Sequence, residues 1–311
     1  MSEKEFDLVV AGGGIAGLTA GLGAARAGLK TLVMTGDVLG GQLISIERID
    51  GYPGFPEGVP GYDLCPMAQE QASAAGAEIE AIALTNLHAQ NGKWRLATGN
   101  GDYSARAVVL ATGTTLKELG VNGEARLRGH GVSHCATCDG PLLRGRVAGI
   151  VGGGDSALQE ALTLAEFASR VVIFHRGKAF SAQAAYRERI SEQPKIEVRF
   201  GTVVEEVLGD SAVAGVRTRD ASGTQADFEL SGFFVYVGLE PNASVADGLL
   251  DLDQTGRIVT DAWMRTKQPG ILAAGTVRSG AAGRAISAAG DGTTAAIAAE
   301  QYLRSGTWPT Q

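Results

Sequence analysis

Nowhere in the 311 residues does an apolar run reach the roughly 20 residues that a membrane-spanning helix needs, so an integral membrane protein is not expected. Cysteine is scarce. Cys65, Cys135 and Cys138 are too few, and odd in number, for a disulfide-stapled secreted scaffold. An excess of positive charge is also absent: the formal net charge of −7 favours solubility and argues against a nucleic-acid surface. No Gly-X-Y period runs through the chain, which excludes a collagen-like fibre. No low-complexity linker or charge block interrupts it. Residues 1–7 are charged and lead straight into a strand-like run, so no signal peptide is expected. With 44% hydrophobic and 20% charged residues, a cytoplasmic α/β protein is the expectation.

What is abundant is glycine. The 45 glycines are about twice the average usage, as many tight turns or phosphate loops require. The length suggests two or three domains at roughly 100–200 residues each. Residues 6–11 read as a short buried strand, followed by Gly12-Gly13-Gly14-Ile15-Ala16-Gly17. An Ala-rich helix then runs to about residue 27, Gly28 stops it, and a second apolar strand covers 29–34. The same order recurs: a strand over 147–151, Gly152-Gly153-Gly154-Asp155-Ser156-Ala157, a helix to about 168 and a strand over 171–174. Gly12 and Gly152 lie 140 positions apart, and so do the following strand ends near Thr35 and His175. A shared internal spacing is a stronger signal than either loop alone.

Residues 107–113 read as a buried strand ending in a turn, with 233–238 as the counterpart in the second unit. A further strand at 270–274 and an Ala-rich helix over 283–303 complete the first unit. The expected fold class is α/β with two Rossmann-like dinucleotide-binding domains, the second inserted into the first. Residues 1–118 and 244–311 make the first domain, and 119–243 the second.

In each strand–loop–helix unit the glycines have separate tasks. Gly12 makes the tight turn, Gly14 lets the backbone approach a pyrophosphate, and Gly17 allows close helix–strand packing; Gly152, Gly154 and Ala157 hold the same places in the second loop. Unpaired N–H groups at the helix start attract the phosphates. Cys135-Ala136-Thr137-Cys138 is a pair at the spacing of a redox disulfide. A zinc site built with His130 and His134 is the alternative, although no usual ligand spacing is matched. His134 and Asp139 flank the pair and suit proton transfer to and from thiolates better than an apolar core. Cys65, ahead of an expected helix, reads as a small buried hydrophobe.

Along almost its whole length the chain resembles the low-molecular-weight thioredoxin reductases. Ser133-His134-Cys135-Ala136-Thr137-Cys138-Asp139-Gly140 is similar to that family's active-site motif, without the commoner aromatic before the first cysteine. Gly40-Gly41-Gln42-Leu43 resembles its flavin-contact loop, and Ala111-Thr112-Gly113 and the 152–161 segment, ending Glu160-Ala161, also match. The resemblance implies FAD on the first loop and in contact with Gly41, Gln42, Thr112, Gly113, Gly275, Thr276, Arg284 and Ala285. It implies NADPH or NADH on the second, near His175, Arg176 and Lys178, and a homodimer. It also implies that Cys138 takes electrons from the flavin, that Cys135 attacks a thioredoxin-like protein disulfide, and that Asp139 serves as acid and base.

Three positions depart from the family pattern. After the second domain's strand the family has His-Arg-Arg followed, after three intervening residues, by Arg, which clamp the NADPH 2′-phosphate. This chain has His175-Arg176-Gly177-Lys178-Ala179-Phe180-Ser181, with Lys178 as a point charge. The flavin-contacting Gly-Asp is Gly275-Thr276, and Arg-Gln-Ala is Gly283-Arg284-Ala285, while an Asn between residues 41 and 54 is Gly51. A weak nicotinamide site is therefore expected, with neutral drift in a working NADPH enzyme as the other reading of the clamp. Ferredoxin, NADH or a second flavin as donor, a flavin dithiol oxidase, and a flavin-bound redox sensor stay open as alternatives.

Overall fold

A computed structural model describes residues 4–308. Residues 1–3 of the expected charged start and residues 309–311 at the end of the expected first domain lie outside the described residues. The chain divides into two units at 115/116 and 239/240, three and four residues ahead of the expected divisions. The first unit is made of the two outer segments and the second of the segment between them.

The first unit begins with β1 (Lys4–Ala11), α1 (Ile15–Arg26) and β2 (Thr31–Met34), with β2 parallel to β1. Next come α2 (Gly61–Ala74) and β3 (Glu78–Glu80), then the antiparallel run β4 (Leu84–Gln90), β5 (Lys93–Thr98) and β6 (Gly101–Leu110). Cys65 and Pro66 lie inside α2, not ahead of it. Pro66 removes one helix hydrogen bond, and burial of Leu64, Cys65 and Ala72 on one side holds the helix together.

The second unit carries β7 (Val132–Ser133), α3 (Ala136–Asp139), β8 (Val147–Gly152), α4 (Asp155–Phe167) and β9 (Arg170–His175). It continues with α5 (Ala184–Glu192), β10 (Ile196–Phe200), β11 (Val203–Leu208), β12 (Gly215–Arg219), β13 (Gln225–Glu229) and β14 (Gly232–Tyr236). Back in the first unit, β15 (Ile271–Ala273) and α6 (Ala285–Ser305) end the fold.

Among the described residues the first unit's sheet runs β3-β2-β1-β6-β5-β4. The C-terminal half of β6 pairs with β15, in parallel. The second unit has a parallel sheet, β10-β9-β8-β14-β7, and an antiparallel sheet, β11-β12-β13. β1 shows why the central strands are apolar at nearly every position. Leu8 and Val10 pack with Ala20 of α1 and Ala295 and Ala299 of α6, while Val9 and Ala11 pack with Leu87, Trp94 and Leu96 on the opposite face. No helix among the described residues is long and apolar enough to cross a membrane.

Candidate active site

The first glycine loop leaves β1 at its C-terminal end. Gly12 has φ +127°, and a Cβ there would stand 2.1 Å from the Ala111 carbonyl oxygen; a Cβ at Gly17 would stand 1.8 Å from the Gly12 oxygen. Both positions therefore demand glycine. Gly14 differs. It is the N-cap of α1, makes no side-chain cap, and nothing lies within 4 Å of where its Cβ would be. The first turn of α1 carries no acidic residue. An open helix start with unpaired N–H groups beside empty space fits a pyrophosphate.

The other residues expected to contact the flavin gather around this loop. Gly40 N–H donates to the Gly13 oxygen at 2.8 Å, which brings Gly41 against Gly14. Gln42 Nε2 donates to both the carbonyl and the hydroxyl of Thr114, the latter at 2.9 Å, and Thr114 Oγ1 is 3.2 Å from Thr276 Oγ1. Thr112 and Gly113 are tied to Asn242: Thr112 Oγ1 donates to the Asn242 oxygen at 2.7 Å and Asn242 N–H donates to the Gly113 oxygen at 3.0 Å. Arg284 is the N-cap of α6, and Ala285 packs with Ile15 and Leu43. The carboxylate absent at position 276 is present nearby on α6. Asp291 accepts from Gly275 N–H at 3.1 Å and, as a forked pair, from Nε and Nη2 of Arg278 at 2.7 and 2.8 Å. Cys65 lies beneath the loop, buried, with Sγ 3.7 Å from the Gly40 oxygen. Burial pushes its thiol up to about 11.

In the second unit Cys135 and Cys138 are joined as a disulfide, with Cα atoms 5.3 Å apart. Their sulfurs are bonded to each other and leave no thiolate pair for zinc. Cys135 is the N-cap of α3: its Sγ accepts from Cys138 N–H at 3.2 Å, and its own N–H donates to Ser133 Oγ at 3.1 Å. The next N–H, of Ala136, donates to Glu160 Oε2 on α4 at 2.8 Å, and the Tyr236 hydroxyl donates to the same oxygen at 3.0 Å. Asp139 closes α3, its N–H on the Cys135 oxygen at 3.1 Å. His134 is half-buried, and its Nε2 is buried with no hydrogen-bond partner. Burial, assisted by the Arg128 guanidinium, holds its imidazole below the ordinary value and favours the neutral ring.

The second glycine loop opens onto a cavity of about 580 Å³ lined by Gly152, Gly154, Ala157, His175, Arg176 and Tyr236 among others. Gly154 is the N-cap of α4 and, like Gly14, carries no side-chain cap. Ser181, where the family pattern has its last clamp arginine, faces the loop: its Oγ and its N–H both donate to the Gly153 oxygen, at 3.1 and 2.9 Å. His175 Nε2 is 3.0 Å from the Ala179 oxygen, and its ring packs between Gly153 and the Phe180 and Phe200 rings. Lys178 is exposed and is not among the cavity-lining residues, so Arg176 is the basic side chain on that part of the wall.

Thr114, Asp291, Glu160 and Tyr236 were not singled out as site residues from sequence. Glu160 had a readable signal. It stands on the face of α4 that carries Ala157, Ala161 and Leu164, all buried, where a charged residue needs a partner.

Two dinucleotide-binding units, one of them carrying a Cys-x-x-Cys disulfide, define a flavin disulfide oxidoreductase. The pattern of the pyridine nucleotide-disulphide oxidoreductase family matches residues 6–297. The chain is 38% identical over 305 residues to a thioredoxin reductase of Treponema pallidum, covering 97% of this chain and 98% of the relative. Its structure is similar to that of Lactococcus lactis thioredoxin reductase, with a TM-score of 0.94, 34% identity, and 96% and 99% of the two chains covered. A ferredoxin-flavin thioredoxin reductase from Clostridium acetobutylicum matches with a TM-score of 0.54, 28% identity, and 97% and 99% coverage. The chain belongs to the low-molecular-weight thioredoxin reductase family, as a divergent member. The cofactor of this family is FAD, and the open first loop fits it.

Proposed function

We propose that this oxidoreductase reduces the disulfide of a thioredoxin-like protein through Cys135 and Cys138. The observation that carries the reading is the Cys135–Cys138 disulfide at the start of α3, in a chain matched over nearly its full length by thioredoxin reductases. In the dithiol form the Cys135 thiolate attacks one sulfur of the substrate and releases the other. Cys138 then attacks Cys135, freeing the substrate as a dithiol and re-forming the internal disulfide. Each departing sulfur takes a proton, for which Asp139 is the donor and store. FAD, when bound, supplies the two-electron carrier that returns the pair to the dithiol. Gly12, Gly14 and Gly17 would hold its pyrophosphate, with Gly41, Gln42, Thr112, Gly113, Gly275, Thr276, Arg284 and Ala285 along the remainder.

The unit spanning about residues 119–243 would receive a nicotinamide nucleotide at Gly152, Gly154 and Ala157, with His175, Arg176 and Lys178 near the adenosine end. With Gly177 and Ser181 in place of two arginines, this site favours weak binding of NADPH and NADH alike. Ferredoxin is the second reading for the donor, favoured by that gap and by the similarity to a ferredoxin-flavin enzyme. A homodimer and a cytoplasmic location belong to the same proposal. Anaerobic absorbance titration of the flavoprotein with NADPH, NADH and reduced ferredoxin identifies the donor. Reduction of a thioredoxin disulfide by the protein so reduced tests the acceptor. A protein that turns over dithiols in air but no thioredoxin is an oxidase, and one that turns over neither is a sensor.

A further inference from the structure

We infer that Glu160, held by Tyr236, is a positioning residue that sets the reduction potential of the Cys135–Cys138 couple. The inference rests on this pair being the redox couple and not on which protein it reduces. Glu160 reaches the pair from α4, 24 residues along the chain, and accepts the first free N–H of α3, that of Ala136, at 2.8 Å. Tyr236, at the end of β14, donates its hydroxyl to the same oxygen at 3.0 Å. Burial above all, and then the carboxylate itself, raises the Tyr236 phenol far above its ordinary value, so it stays a donor.

The consequence follows from where charge forms on reduction. When the S–S bond accepts two electrons and two protons, or undergoes exchange with an external dithiol, the sulfurs become thiols in equilibrium with thiolates. Cys138 N–H already points at Cys135 Sγ, 3.2 Å away, and favours a thiolate there. The Glu160 carboxylate, bonded to the adjacent residue's N–H, opposes it through like charge. A couple whose reduced form is less favoured has a more negative potential and is a stronger reductant. Asp139, the last residue of α3, adds a second carboxylate to the same short helix.

A hydrogen-bonding role and an electrostatic role separate cleanly in Glu160→Gln. The amide oxygen can still accept from Ala136 N–H and from Tyr236, so these two bonds are kept while the charge is lost. The flavoprotein is equilibrated anaerobically with mixtures of reduced and oxidised dithiothreitol, quenched with a mass-tagging alkylator, and the modification of Cys135 and Cys138 is read by mass. Each exchange breaks one disulfide and forms another, so the ratio gives the equilibrium constant directly. Glu160→Gln is expected to shift that constant about tenfold toward the dithiol, equivalent to about 30 mV. Glu166→Gln, on the exposed end of the same helix, controls for net charge and is expected to leave it unchanged. Tyr236→Phe removes the donor that damps the carboxylate and shifts the constant toward the disulfide, and it carries the test alone if the glutamine variant does not fold. An unchanged constant in Glu160→Gln, an equal shift in Glu166→Gln, or a Tyr236→Phe shift toward the dithiol overturns the inference.

Discussion

Ser181 faces Gly153: its hydroxyl donates to the Gly153 oxygen at 3.1 Å while its N–H shares that oxygen at 2.9 Å. A side chain tied to the glycine loop in this way offers nothing to a 2′-phosphate. NADPH is therefore expected to reduce the flavin slowly, with little or no preference over NADH. Gly177→Arg is an awkward repair, because its Cβ would stand 2.7 Å from His175 Nε2 and the ring would have to move. Ser181→Arg loses one neutral hydrogen bond and can place a guanidinium over the pocket. A charged hydrogen bond is worth ~1.5–3 kcal/mol, so the apparent KM for NADPH should fall about tenfold or more. NADH, which lacks the phosphate, should be unaffected. Stopped-flow flavin reduction with both nucleotides decides it, and fast reduction of the unmodified protein by micromolar NADPH would falsify the weak-clamp reading.

The protein should purify yellow with about one FAD per chain, since loss of one ribityl contact at Thr276 costs only ~0.5–1.5 kcal/mol if neutral. Gly14→Asp separates cofactor binding from folding. Open space surrounds that position, so the fold should stand, and aspartate is a favourable N-cap. Its carboxylate would take the N–H groups of α1 and repel a pyrophosphate. The expected product is a folded, colourless protein by circular dichroism and absorbance. Retained stoichiometric FAD would contradict the placement of the pyrophosphate on α1.

Asp139→Asn should slow reduction of a protein disulfide by ~10²–10⁴, the usual contribution of a positioned acid or base. Single-turnover mixing of the pre-reduced flavoprotein with substrate measures it, with the absorbance of the oxidised flavin as a check on folding. A loss smaller than threefold would assign the proton to another group, of which His134, neutral and without a hydrogen-bond partner at Nε2, is the nearest in sequence.

Cys65 yields a prediction about pH. Its thiol is pushed to about 11 by burial, above its value in an unfolded chain, so the unfolded state loses that proton first as pH rises. The contribution is complete below the unfolded pKa and is lost as pH rises toward the folded one. Melting temperature should therefore fall above about pH 8.5. Cys65→Ala should flatten that fall and leave the redox chemistry intact. Melting curves from pH 7 to 10.5 for both proteins, with native alkylation of Cys65 expected only on unfolding, provide the measurement.

The repeated strand–glycine–helix unit was legible because its requirements are local. Gly17 is dictated by a backbone contact with Gly12 inside the same loop, and the pattern recurs at Gly152. The Cys135–Cys138 pair was legible for the same reason. The antiparallel run β4–β5 was not, because its outer positions are mostly exposed and polar and its buried apolar ones, Leu87, Trp94 and Leu96, are few. Contacts such as Tyr236 to Glu160, 76 residues apart, and Gln42 to Thr114, 72 apart, come from sheet order and leave no local pattern. The fate of Ser181 was legible only in part: the missing arginine was visible, and its attachment to Gly153 was not.

The most direct test bypasses the donor. The flavoprotein is reduced anaerobically with dithionite, freed of excess reductant and mixed with a stoichiometric amount of thioredoxin disulfide, and the thioredoxin thiols are counted by mass after alkylation. Wild type should transfer two electrons to thioredoxin within the mixing experiment. Cys135→Ser and Cys138→Ser, equally reduced at the flavin, should transfer none. Thioredoxin reduced as fast by Cys135→Ser as by wild type would contradict the central claim that electrons leave this protein through the Cys135–Cys138 disulfide.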